Sequence, residues 1–376
     1  MKKSIVFLIL CLTIYSCDKD PISKDILTDN PNISNIDKLV HNTFKNYASK
    51  SQTAGFSIAL IDGTDVYQYN YGETKLGNKT LPNNQTLYEI GSITKTFTSA
   101  SLIHWLNQNS IDINSPIKNY LPTNLSSNLS LSGIDISFNH LLNHTSGLPR
   151  IPDDLPNNLD PYNGYDSLRV YNYISNHPLL RTPGTLPTNE ENASNYYSNL
   201  AYALAGLVQE RQTHTSLQSI FQNTIFSTLN MTNSTLDNIE GIGNKAFPHN
   251  NANNASYWHL TGTAGAGGMK SCLSDMTKYV QTQINATNST TLGVAFLTTQ
   301  NPTVQINGKD YFGLGWEFYY TNENKRITVK DGGTGGFTAF VAFDKTTQKA
   351  IVALFNNDNS NNMATPFVSL LDEFFK

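Results

Sequence analysis

Strand-like runs stand at the two ends of this chain, and a long helix-patterned stretch separates them. Near the start, residues 55–61 and 66–71 flank the turn Asp62-Gly63-Thr64. Toward the other end, residues 311–320, 326–330, 337–343 and 350–355 are rich in β-branched and aromatic side chains. Between them, roughly residues 92 to 300 carry apolar residues at helical spacing, broken by Pro and Gly loops and without internal repeats. The simplest assembly joins the terminal strands into one antiparallel sheet, an α+β fold with a mostly helical region beside it. A first helix carrying Ile36, Leu39, Val40, Phe44 and Tyr47, and a last one over residues 364–375, are expected to flank the sheet. Catalytic side chains then belong where sheet and helical region meet.

The charge balance narrows the function classes. Charged residues make up 14% of the 376 residues and the net charge is −4, against an average charged fraction of about 25%. A quiet, slightly acidic surface argues against binding a nucleic-acid backbone. With 39% hydrophobic and 11% aromatic residues, the chain has the means to build a core. Met1-Lys2-Lys3 and the apolar run 5–14 have the pattern of a secretory signal, and the run is too short to span a bilayer as a mature helix. It ends in Ile14-Tyr15-Ser16-Cys17, which resembles a bacterial lipobox. The expectation is a signal peptide over 1–16, lipid attachment at Cys17, a polar tether over 17–35 with Pro21 and Pro31, and a catalytic domain over 36–376, on an exported lipoprotein of the bacterial cell envelope. Cys11 falls in the leader and Cys17 carries the lipid, so Cys272 stands alone and no internal disulfide is expected.

Three short motifs carry chemistry. Ser92-Ile93-Thr94-Lys95 opens a helix in which Phe97, Ala100, Ile103 and Leu106 share a face. The three-residue spacing puts hydroxyl and amine on the same side of one turn. A serine hydroxyl needs a neighbouring base, and a lysine serves only if burial or nearby positive charge lowers its pKa. Alone, Ser-x-x-Lys is common on exposed helices. The second motif, Tyr197-Ser198-Asn199, precedes the apolar run 200–208. A phenol there can pass a proton between Ser92 and a leaving group, and the Asn199 amide can hold Lys95 and a substrate carbonyl; by itself the triplet equally describes a core tyrosine beside a helix cap. In the third, Lys330-Asp331-Gly332-Gly333-Thr334-Gly335-Gly336-Phe337, glycines let a substrate lie along a strand edge and Lys330 offers a charge to a carboxylate. Without Gly-Lys-Ser/Thr and a following helix it is not a phosphate loop. The glycine-rich run 262–268 lacks the context of a dinucleotide fingerprint and reads as a wall of the cleft.

Taken in this order, the three motifs resemble the serine β-lactamase and penicillin-binding protein superfamily, in particular its class C-like branch, in which a tyrosine stands in the second element. Tyr88-Glu89-Ile90-Gly91, the segment from His140 to Pro149, and Gly265-Ala266-Gly267-Gly268-Met269 strengthen the resemblance, which spans about residues 36 to 375. It implies a serine hydrolase working through an acyl-enzyme on β-lactams or D-alanyl peptides, with small esters, or binding without catalysis, as the other readings. By resemblance Ser92 is the acylated nucleophile, Lys95 and Tyr197 are the proton-transfer pair, Asn199 orients, and Lys330, Gly332, Gly333 and Thr334 bind substrate. The amides of Ser92 and Gly333 would form the oxyanion hole. Asp331, an acid directly after Lys330, departs from the pattern and is placed to mute the lysine's charge. His140 and His144 stand at i and i+4, but the Glu of His-Glu-x-x-His is absent, so no metal and no cofactor are expected. The expected partners are a small-molecule or peptidoglycan-derived substrate and, through Cys17, the membrane; the protein is expected to be a monomer that binds no nucleic acid.

Overall fold

A computed structural model describes residues 25–250, 253–358 and 360–376. The leader, Cys17 and the first part of the tether lie outside the described residues. Eight strands form one antiparallel sheet: β1 (Gly55–Asp62), β2 (Asp65–Gly72), β3 (Val304–Ile306), β4 (Lys309–Phe312), β5 (Glu317–Tyr320), β6 (Arg326–Gly333), β7 (Thr338–Asp344) and β8 (Lys349–Phe355). Their spatial order is β2-β1-β8-β7-β6-β5-β4-β3. The two chain ends meet in the β1–β8 pair, in register from Phe56 opposite Phe355 to Asp62 opposite Lys349.

This sheet is buried on both faces, and that explains why its middle strands read as nearly continuous apolar runs. Phe56, Ile58, Leu60, Phe340, Ile351 and Phe355 face one side. There they meet α1 (Asn35–Ala48) and the C-terminal helix (Ser360–Phe374), through Val40, Phe44, Met363, Phe367 and Leu371. Alternate residues Ala59, Ile61, Val341, Phe343 and Val352 face the other side, against α2 (Thr94–Gln108) and α4 (Leu273–Ile284). A third core binds the far half of α2, Leu102, Ile103 and Leu106, to α3 (Asn199–Thr213) and the shorter helices Phe138–Leu142 and Ser167–Asn176.

Helix α2 is therefore the axle between sheet and helical region, and it differs from the one-faced helix expected from its apolar spacing. Every residue from Thr94 to Ile103 is buried. Its hydroxyls are satisfied inside the protein: Thr96 Oγ1 donates to Ile93 O and accepts from Tyr279, and Ser101 Oγ donates to Gln209. Buried polar groups survive only with such partners.

Two local features depart from the sequence reading. The run 311–320 is broken by a turn at Gly315, φ +88°, into β4 and β5, and β3 adds an edge strand that carried too few residues to stand out. The stretch read as tether is docked on the sheet from Leu27 onward. Gly72 N donates to Leu27 O, Thr28 Oγ1 donates to Asn70 O, Asp29 accepts from Asn70 N and Nδ2, and Asn30 Nδ2 donates to Tyr71. The segment covers the β2 edge, which would otherwise present unpaired backbone.

Candidate active site

The turn bearing Ser92 is pressed against the end of β6. Gly91 takes φ +49°, and a Cβ there would stand 2.6 Å from the nitrogen and oxygen of Gly333. On the strand side, a Cβ at Gly332 would lie 2.0 Å from Ile90 O and 2.9 Å from Ser92 N. Glycine at these two positions lets two backbones meet at a distance no side chain permits. The third motif is thus divided: Lys330 to Gly333 form the end of β6, and Thr334 to Phe337 form the tight hairpin loop to β7, closed by Thr334 N donating to Phe337 O.

One helical turn on, Lys95 is fully buried. Its Nζ donates to Ser92 Oγ at 3.0 Å and to Ala266 O at 2.5 Å. Burial first, then the positive charges of Lys330 and Arg150, hold the Lys95 pKa well below the usual lysine range. That is the condition under which an amine exists as a free base near neutral pH. Its carbonyl partner comes from the helical turn Ala264–Gly267, and Ala266 and Gly267 do line the cleft, as the sequence reading expected of the 262–268 run.

Tyr197 sits between the helix Glu190–Tyr196 and α3, fixed by its successor: Ser198 Oγ caps α3 by accepting from Ala201 N and donates to Pro149 O, while Ser198 N donates to His144 Nδ1. The Tyr197 ring stacks on His144, centroids 4.2 Å apart. Three basic groups surround it: Lys330 Nζ at 4.7 Å, Arg150 Cζ at 4.9 Å and Lys95 Nζ at 5.0 Å from its centroid. Burial holds the phenol pKa above the usual tyrosine value; Lys330 pulls against it, Glu317 and Asp331 add to the rise, and a hydrogen bond with Ser92 lowers it a little. Serine, lysine and tyrosine converge on one space.

Asn199 reaches the same cleft, but not the partner expected. Lys95 spends its hydrogen bonds on Ser92 and Ala266, and Asn199 Oδ1 is buried without a partner. Ser92, Asn199, Gly333, Tyr162 and Trp258 line the cleft beside Ala266 and Gly267. A buried amide oxygen beside the nucleophile is placed to accept from an N–H donor.

The third motif divides. Gly333 lines the cleft, Gly332 is packed under Ile90, and Thr334 is buried with its side chain turned toward the Glu89 carboxyl. Lys330 is 2% exposed and tightly ion-paired with Glu317, with Asp331 Oδ1 3.8 Å away. Burial alone would lower its pKa, but Glu317, Tyr197 and Asp331 raise it above the usual lysine value. Asp331, pushed up by burial to about 6, is the lesser of the two muting acids. The sequence pointed to it by adjacency and missed Glu317, which arrives from the neighbouring strand opposite Val329. His144 and Arg150 were also missed as site residues, and Glu89, three residues before the serine, is a buried carboxyl pushed up to about 7 chiefly by desolvation.

The histidines do not share a ligand site: each Nδ1 accepts a backbone N–H, His140 from Ser137 and His144 from Ser198. Among the described residues no group of three or more His, Cys, Asp or Glu side chains is arranged to hold a metal. None of their helices is long and apolar enough to cross a membrane.

A sheet made from both chain ends, a buried helix beginning in Ser-x-x-Lys and a glycine-bearing strand against the serine turn define a serine hydrolase of the β-lactamase/transpeptidase-like fold. The chain belongs to the Beta-lactamase family, whose model matches residues 40–367. It is similar to a D-alanyl-D-alanine-carboxypeptidase/endopeptidase, AmpH, of Escherichia coli strain K12, 26% identical over 78% of this chain and 76% of that one. It is also similar to a β-lactamase of the same strain, 26% identical over 87% and 90% of the two chains. Among solved structures, a β-lactamase/D-alanine carboxypeptidase of Yersinia pestis superposes with a TM-score of 0.75, covering 91% of this chain and all of that one at 23% identity.

Proposed function

We propose that the protein is a class C-like serine hydrolase that opens the carbonyl–nitrogen bond of β-lactams or D-alanyl peptides through an acyl-enzyme on Ser92. The observation that carries this reading is the 3.0 Å contact of Lys95 Nζ with Ser92 Oγ, with Lys95 buried and its pKa depressed. As the neutral amine, Lys95 accepts the Ser92 proton while Oγ bonds to the substrate carbonyl carbon. The resulting oxyanion is held by the N–H groups of Ser92 and Gly333. Collapse breaks the carbon–nitrogen bond, and the proton passes through Tyr197 to the departing nitrogen. Water then attacks the ester, its proton is taken up by the same pair, and Ser92 Oγ–H is restored. Asn199 Oδ1 accepts from a substrate amide N–H, which would satisfy its missing partner.

The printed activities of the relatives, a carboxypeptidase/endopeptidase and a β-lactamase, support the substrate class. The lipobox-like Ile14-Tyr15-Ser16-Cys17 supports an exported lipoprotein, anchored through Cys17 in the bacterial envelope. A fluorescent penicillin tests the reading: Ser92 should be labelled, and Ser92→Ala should abolish labelling and hydrolysis. Persistent label identifies a peptidase and rapid loss a β-lactamase. A folded protein that neither the penicillin nor a fluorophosphonate labels at Ser92 is not a serine hydrolase.

A further inference from the structure

Resting on that reading, we propose that Arg150, not the third-motif lysine, captures a carboxylate on the substrate. Three basic side chains surround Tyr197, and two are otherwise engaged. Lys95 is fully buried and bonded to Ser92 and Ala266. Lys330 is 2% exposed, tied to Glu317 and close to Asp331. Two acids against one lysine leave no net positive charge at that place to offer an anion, and freeing Lys330 would strand Glu317 in a site where it has little water.

Arg150 is different on each count. It is partly open to solvent. Among the described residues no carboxylate forms an ion pair with it, and its side-chain partners are the Tyr197 ring and the carbonyl of Ser194, at the outer limit of a hydrogen bond, 3.5 Å. Its place is fixed by its backbone, because Arg150 O accepts from Asn199 N at 2.8 Å, which ties the arginine to a residue that lines the cleft beside Ser92. A planar guanidinium that keeps most of its five N–H donors free suits a carboxylate bidentately. The face it spends on Tyr197 leaves the edge, where those donors lie, for the ligand.

The experiment compares acylation of Ser92 by a fluorescent penicillin, which bears a carboxylate, with acylation by the methyl ester of the same molecule, in full-length wild type, Arg150→Gln and Arg150→Lys. A fluorophosphonate serves as a neutral reporter of the nucleophile. The wild type should prefer the free acid. In Arg150→Gln the acid-to-ester rate ratio should fall by at least about tenfold, the scale of one charge-assisted hydrogen bond, and Arg150→Lys should keep part of the preference. Using a ratio removes any general effect of Arg150 on the Lys95 base. A wild type without preference for the acid overturns the proposal, as does a preference that survives Arg150→Gln. Fluorophosphonate labelling without penicillin labelling overturns it too while leaving Ser92 as nucleophile; absence of all labelling takes down both readings.

Discussion

At the residue scale, function rests on how the charges around Lys95 divide. Burial, Lys330 and Arg150 lower its pKa, and Asp331 and Glu317 oppose them. Only the neutral amine accepts a proton, so acylation should rise with pH through the depressed Lys95 pKa. Each neighbour then has a predictable sign. Removing a negative charge in Glu317→Gln lowers the Lys95 pKa further and moves the rising limb to lower pH. Removing a positive one in Arg150→Gln moves it to higher pH. Both displacements are read from pH profiles of the second-order acylation rate; limbs that move together, or the other way, would contradict the assignment of Lys95 as base. Ser92, Lys95, Tyr197 and Asn199 were legible in the sequence because each pair lies within one turn or one cap, where spacing alone sets proximity. Glu317 and Arg150 were not, since their approach to Tyr197 and Lys330 depends on strand pairing and loop packing far along the chain.

At the scale of elements, the decisive contact is between the Gly91–Ile93 turn and the end of β6. It brings the Gly333 backbone to the serine, so a methyl group in the wrong place should cost both stability and rate. Gly332→Ala, whose Cβ would sit 2.0 Å from Ile90 O, should destabilise by about 1–3 kcal/mol and suppress acylation. Gly241→Ala, where nothing lies within 4 Å of the added carbon, should do neither. Thermal melts and labelling rates of the two variants side by side decide the point. The glycines of 332–336 were visible in the sequence as a motif, but a run of glycines reads as a loop. Gly335 and Gly336 do lie in the loop, whereas the membership of Gly332 and Gly333 in β6 comes from pairing with β7, Gly332 opposite Ala339 and Gly333 opposite Thr338, which local propensity does not contain. The same reasoning covers α2, whose amphipathic spacing hid burial on all sides between two cores.

At the scale of the whole molecule, a chain of polar contacts runs from the docked N-terminal segment toward the site. Asp29 holds Asn70, Asn70 accepts from Ser57, and Ser57 bonds to Tyr88, four residues before Ser92. A chain starting at residue 25 retains these contacts, whereas one starting at Ile33 loses those of Leu27 to Asn30. The shorter form should be less stable by on the order of 3 kcal/mol, a drop of several degrees in Tm, while the longer melts with the full chain; equal melting of all three would show that the docked segment contributes nothing. The sequence by itself determined the architecture and three of the motifs that meet at the cleft. Strand and helix periodicity are local properties, and terminal strands with a helical middle leave few ways to close a sheet. Only the tertiary structure decided which charges meet. An ion pair such as Lys330 with Glu317, an orphan such as Asn199 Oδ1 and an unpaired cation such as Arg150 arise from distances across elements, and Coulomb and desolvation energies depend on those distances and not on position along the chain.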